Sequence, residues 1–199
     1  MLAAAEGRRR TDPVEDLIML RFGVRIDQPG AVTRDFHTAR TLDGKKSMPL
    51  SNRYYLSDAV FLAGIEGHRD VLERLDFALR HPRFPLYLGR RSCPPTLPVS
   101  LGLREGELLE VLRTEPWHAS ETYLRRTSES DVEILVDKKA VPEGESTDYA
   151  FGSRDVPFSF DPRRREYGFR DVERSKVHLR VVLPDQHDPM DAAQQAQEA

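Results

Sequence analysis

One cysteine, Cys93, and one tryptophan, Trp117, occur in 199 residues. A lone cysteine excludes an internal disulfide and favours a reducing, cytosolic setting. Six histidines are present (His37, His68, His81, His118, His178, His187), with none of the paired spacings of zinc fingers or metalloproteases. No metal and no other cofactor is therefore expected. A phosphate-cradling glycine loop is missing too, since Gly102-Leu103-Arg104-Glu105-Gly106 lacks the lysine and the context. No Gly-x-Ser-x-Gly nucleophile elbow occurs. The longest apolar run, residues 59–65, is seven residues long and too short to cross a bilayer. Met1-Leu2-Ala3-Ala4-Ala5 is too short for a signal-peptide core and runs into Arg8-Arg9-Arg10. The expectation is a cytoplasmic protein with no membrane association.

Charge is abundant but unevenly placed. The chain is 32% charged and 39% hydrophobic, enough apolar residue for a core, and its net charge is −3. Residues 34–55 carry a balance of +3, and residues 80–91 hold four arginines and no acid. Residues 104–145 balance at −5, and the tail from Pro184 adds four acids and no base. An acidic chain with two basic segments points to local rather than general affinity for polyanions.

The order of elements reads as α+β. Residues 1–6 look like a helix closed by Gly7. Residues 16–26 read as a strand, and residues 54–65 as a second. Between them lies a basic excursion centred on the turn pair Asp43-Gly44. Val71, Leu72, Leu75 and Leu79 have helical spacing over residues 68–80, and Pro82 and Pro85 end that helix. A short helix is expected at residues 105–113 and a strand at 132–136. Residues 142–162 look weakly ordered, residues 167–183 hold one or two strands, and residues 184–199 form a disordered tail. The division expected is 1–100 for a first domain, with a projecting thumb at about 33–54, and 101–183 for a smaller β-rich portion.

Two segments could carry chemistry. The first runs from Thr33-Arg34-Asp35-Phe36-His37-Thr38 through Lys45 and Lys46 to Asn52-Arg53-Tyr54-Tyr55. Cations beside aromatic rings suit single-stranded RNA, with Arg and Lys on phosphates and Phe36, Tyr54 or Tyr55 stacking on bases. A solvated hairpin whose tyrosines return to the core fits the same residues. The second is Tyr87-Leu88-Gly89-Arg90-Arg91-Ser92-Cys93-Pro94. There the arginine forks and the Ser92 hydroxyl suit phosphate oxygens, and a structural turn with an arginine–carboxylate pair fits equally. Trp117 is either an interface anchor or a cap on the core. Arg163-Arg164-Arg165 is either a contact to RNA or a neighbour, or a solvated charge run.

The string Pro82-Arg83-Phe84-Pro85-Leu86-Tyr87-Leu88-Gly89-Arg90-Arg91-Ser92-Cys93-Pro94 closely resembles a hallmark of CasD, the type I-E form of the fifth CRISPR-associated protein family. Asp35-Phe36-His37-Thr38 and Tyr54-Tyr55-Leu56-Ser57-Asp58-Ala59 resemble two further stretches of that family, in its order. The similarity covers roughly residues 2–98. It implies a ferredoxin-like (RRM-like) domain of the RAMP superfamily, lacking here its first strand and the turn after it, so that either an upstream start of the reading frame or a compromised fragment is expected. It also implies a non-catalytic subunit of the Cascade surveillance complex that grips the 5′ handle of the CRISPR RNA (crRNA). Its partners would be the crRNA, the large subunit and the first backbone subunit. Arg34, His37, Lys45, Lys46, Arg53, Tyr54, Tyr87, Arg90, Arg91 and Ser92 are the expected RNA contacts.

Two other readings stay open. A metal-independent endoribonuclease, as in the related type I-C members, could use His37 near Lys45, Lys46 and Tyr54 as general base and cationic stabiliser. A protein-only scaffold would instead spend its arginines on acidic neighbours.

Overall fold

The computed structural model describes residues 1–161 and 163–181. One five-stranded antiparallel sheet forms the body, in the order β4-β1-β5-β7-β6. Its strands are β1 (Arg21–Gln28), β4 (Val60–Glu66), β5 (Glu129–Asp137), β6 (Tyr149–Ser159) and β7 (Glu166–Arg180). A separate two-stranded ribbon pairs β2 (Ala31–His37) with β3 (Ser51–Ser57). The helices are α1 (Leu2–Ala5), α2 (Glu15–Ile18), α3 (Arg69–Arg80), α4 (Leu108–Thr114) and α5 (Glu121–Leu124). The architecture is α+β, as the order of elements led us to expect. The sheet takes strands from both sides of the division expected near residue 100.

The core lies between α4 and one face of the sheet. Leu108, Leu109 and Leu112 pack on Ile134 and Val136 of β5 and on Ala140, with Leu62 and Val177 at the margin. Two glycines let the helix approach. A Cβ at Gly64 would stand 2.5 Å from Leu108 Cδ1, and one at Gly23 would stand 2.8 Å from Leu112 Cδ1. Glu66 Oε2 accepts the Leu108 backbone N–H at 3.1 Å, satisfying an end donor of α4.

A buried ion pair fastens the other end of α4. Arg25 and Asp27 are both 0% exposed. Arg25 Nε donates to Asp27 Oδ1 at 2.7 Å, and its terminal nitrogens donate to the carbonyls of Leu112, Glu115 and Pro116 at 2.6–2.7 Å. Asp27 in turn accepts the His118 backbone N–H at 2.7 Å. A cation on the last carbonyls of a helix suits both their lone pairs and the helix dipole. Trp117 Nε1 donates to the Asp27 carbonyl at 2.8 Å, and its ring meets Tyr123 edge-on at 6.1 Å. Trp117 is half-buried, held by these two contacts.

Several expectations need correction. Residues 16–26 are not one strand. Leu17 and Ile18 belong to α2, and β1 begins at Arg21. The unbroken run Leu17-Ile18-Met19-Leu20 lacks strand alternation, and the Leu20 side chain closes against Gly67. Residues 54–65 are two strands, broken at Asp58, whose φ of 57° turns the chain from β3 into β4. Residues 142–162, expected to be weakly ordered, contain the eleven-residue β6. Pairing along β7 holds it, and Pro157 is tolerated because β6 is an edge strand with register shifts beside it. Residues 167–183 give one long strand, β7, ending at Arg180. The tail expected at residues 184–199 lies outside the described residues. The helix of residues 1–6 closed by Gly7, with φ of 80°, and the helix of residues 68–80 are present as α1 and α3. No helix among the described residues is long and apolar enough to cross a membrane.

Candidate nucleic-acid interface

The basic excursion is a β-ribbon that leaves the body between β1 and β4. At its base Gly30 has φ of 71°, and a Cβ there would stand 2.5 Å from the Ser57 carbonyl, so only glycine fits. Gln28 ties this base down, donating to the Asp58 carbonyl at 2.5 Å and accepting from the Ser120 hydroxyl at 2.9 Å. The ribbon runs wider than the expected thumb of 33–54, from Ala31 to Ser57.

Its register sorts the side chains onto two faces. Arg34 pairs with Tyr54 and Phe36 with Asn52, while Asp35 pairs with Arg53 and His37 with Ser51. Strand alternation then puts Arg34, Phe36 and Tyr54 on one face and His37, Arg53 and Tyr55 on the other. On the first face the Arg34 guanidinium lies 4.7 Å over the Phe36 ring, with Phe36 55% and Tyr54 64% exposed. On the second, His37 Nδ1 stands 3.8 Å from Asp35 Oδ2.

At the tip the chain reverses at Gly44, with φ of 70°. Asp43 accepts the Thr41 hydroxyl and the Lys45 backbone N–H. Those two bonds, the hydroxyl's first, hold its carboxyl below the usual range. The tip is thereby organised with Lys45 and Lys46 exposed.

The arginine loop is a compact hydrogen-bonded turn. Leu88 N–H donates to the Cys93 carbonyl at 2.8 Å, and Cys93 N–H to the Arg90 carbonyl at 2.9 Å. Gly89 takes φ of 77°. Arg90, Arg91 and Ser92 are exposed, while Tyr87 and Cys93 are half-buried. The Ser92 hydroxyl stands 3.9 Å from Cys93 Sγ.

Loop and ribbon meet. The Arg90 guanidinium lies 5.9 Å from the centroid of the Tyr55 ring. Two segments more than thirty residues apart in sequence thus join into one surface of cations and rings, on the face that carries His37 and Arg53. Arg34 and Tyr54 lie on the opposite face. Nothing in the sequence announced the Arg90–Tyr55 contact. Among the described residues none of Arg34, Lys45, Lys46, Arg53, Arg90 or Arg91 has a carboxylate within 4.0 Å of its charged nitrogens. No group of three or more His, Cys, Asp or Glu stands together to hold a metal, again among the described residues.

With that geometry in view, comparison with known proteins settles the kinship. A family model described as CRISPR-associated protein (Cas_Cas5), bearing the name Cas_Cas5d, matches residues 1–173. The chain belongs to the Cas5 family. A solved structure titled "CRISPR RNA-guided surveillance complex" is 25% identical with a TM-score of 0.69, and the match covers 100% of this chain and 85% of that one. Another, titled "Crystal structure of Cas protein", is 35% identical with a TM-score of 0.65, over 88% of this chain and 76% of that one. No curated protein matches the chain. The α+β fold with its antiparallel sheet is that of these structural neighbours. The Cas5 family and a place among CRISPR surveillance proteins are thereby shown.

Proposed function

We propose that this Cas5 chain is a non-catalytic, crRNA-binding subunit of a Cascade surveillance complex, holding the 5′ handle of the guide RNA in antiviral defence. The observation that carries the reading is the set of exposed cations on ribbon and loop, without carboxylate partners among the described residues, interleaved with Phe36, Tyr54 and Tyr55. Free guanidinium and ammonium groups serve phosphates, and exposed rings accept splayed bases. Arg90 and Arg91 grip the handle from the loop while the ribbon folds over it, and Ser92 and Tyr87 line the loop side. The crRNA, the large subunit and a backbone subunit are its partners, in the cytoplasm.

The finer assignment to type I-E rests on the string Leu88-Gly89-Arg90-Arg91-Ser92-Cys93-Pro94. The matched family model bears the name of the type I-C form, in which Cas5 members can be ribonucleases. Against cleavage here stands the geometry of the ribbon, whose register puts Tyr54 on the face opposite His37. His37 Nδ1 faces the Asp35 carboxylate at 3.8 Å.

The test is binding of labelled crRNA by the purified protein across a salt series. Log affinity should fall linearly with log salt, and R90A/R91A should flatten the slope by about 0.7 for each lost phosphate contact. A flat wild-type slope would instead favour the protein-only scaffold. Site-specific cleavage of repeat RNA that disappears in H37A would replace capture by catalysis.

A further inference from the structure

The β6–β7 ribbon carries a second meeting of arginines and rings, which the hairpin site leaves unused. Phe169 of β7 is 73% exposed, its ring beside Gly152 of β6. The Arg154 guanidinium of β6 lies 5.8 Å from the centre of that ring, and its Nε donates to the Tyr167 carbonyl at 3.2 Å. Tyr167 meets Phe160 edge-on, at 6.3 Å between ring centres. Arg163 and Arg165 stand exposed near the turn that joins the two strands. Arg154, Arg163 and Arg165 have no carboxylate partner among the described residues, whereas their neighbours Arg164 and Arg170 are paired with Glu166 and with Asp137 and Asp155. Three cations without carboxylate partners among the described residues thus share one ribbon with the exposed Phe169 ring, the chemistry of Arg34, Phe36 and Tyr54 again.

We infer that the outer part of the β6–β7 ribbon is a second contact for single-stranded RNA, in which Phe169 stacks a base and Arg154, Arg163 and Arg165 take the flanking phosphates. Stacking on an exposed ring tolerates any base, and guanidinium groups beside it supply the charge for the backbone. The contact rests on the RNA-binding reading above and extends it to a second element.

Fluorescence anisotropy with a fluorescein-labelled uridine oligomer, on the whole chain, tests the contact. F169L keeps apolar bulk but removes the ring, and should weaken binding about tenfold. F169W should bind as the wild type does. R154A should flatten the salt slope by about 0.7. Circular dichroism of each variant separates lost contact from lost fold. Equal affinity of folded F169L and wild type overturns this contact while leaving the hairpin site intact. A wild-type chain that binds no oligomer, with R90A/R91A equally inert, overturns the RNA reading and this contact together.

Discussion

Arg25 and Arg34 stand nine positions apart and are put to opposite uses. Arg25 is fully buried and its guanidinium makes five hydrogen bonds, two to Asp27 and three to carbonyls at the end of α4. Arg34 lies exposed on the ribbon with its guanidinium over the Phe36 ring. Other arginines share the first of these uses. Arg8, Arg21, Arg74, Arg80, Arg104, Arg113, Arg170 and Arg174 of the body all pair with carboxylates. The cations of ribbon and loop do not. Where arginines hold a fold together, their charge is neutralised locally; where charge is left uncompensated on a projecting element, it is available to an outside anion.

The sharpest way to break this comparison is to change Arg25. R25M leaves Asp27 buried without its counter-charge and frees three carbonyls, so it should cost about 3–5 kcal/mol of stability. Urea denaturation followed by circular dichroism reads the loss. A cost below about 1 kcal/mol would mean that this pair does not hold α4 to β1. R34A, by contrast, should leave the unfolding free energy within about 0.5 kcal/mol of wild type while weakening RNA binding.

The close approach of α4 to the sheet gives the next largest effect. G64A should cost about 1–3 kcal/mol, because the new methyl group meets Leu108 Cδ1 in a packed core. G44A at the ribbon tip meets nothing within 4 Å, so its cost is only that of a left-handed φ of 70° in a turn. Thermal melts should therefore show the larger loss in G64A.

These cases also mark what could be read in advance. The helical spacing of Val71, Leu72, Leu75 and Leu79 gives α3 directly, since a 3.6-residue period needs no knowledge of the partner. The ribbon is announced by Asp43-Gly44 between two basic flanks, and the cations of ribbon and loop could be named one by one. Arg25 could not. In the sequence it interrupts an apolar strand, and its meaning depends on α4, almost ninety residues later. β6 was hidden too, because its order comes from pairing with β7 rather than from its own composition. The Arg90–Tyr55 contact was hidden for the same reason.

Acid should unpick the body before it touches the ribbon's cations. The hydrogen bonds from Arg104 hold the Glu115 carboxyl below its ordinary value, and those from Arg170 do so for Asp155. A carboxylate depressed on folding contributes stability at neutral pH, and that stability is lost as pH falls from about 4 through the lower folded values. R170M removes the cause at Asp155 and should make the fall in urea midpoint shallower below about pH 4. An unchanged acid profile in R170M would show that the Asp155 pairing adds nothing to stability.

The smallest effect asks whether loop and ribbon act as one surface. Arg90 over Tyr55 is the only link described between them that involves a charge and a ring, and an exposed cation–π contact couples by about 0.5–1 kcal/mol. A double-mutant cycle of R90A and Y55L, read in RNA affinity, isolates that coupling from the phosphate contact that Arg90 makes by itself. If Arg90 must be held by Tyr55 to face the handle, R90A should cost less in the Y55L background than in the wild type. Strict additivity would mean that the loop and the ribbon hold the RNA independently, so that the surface is two sites placed side by side.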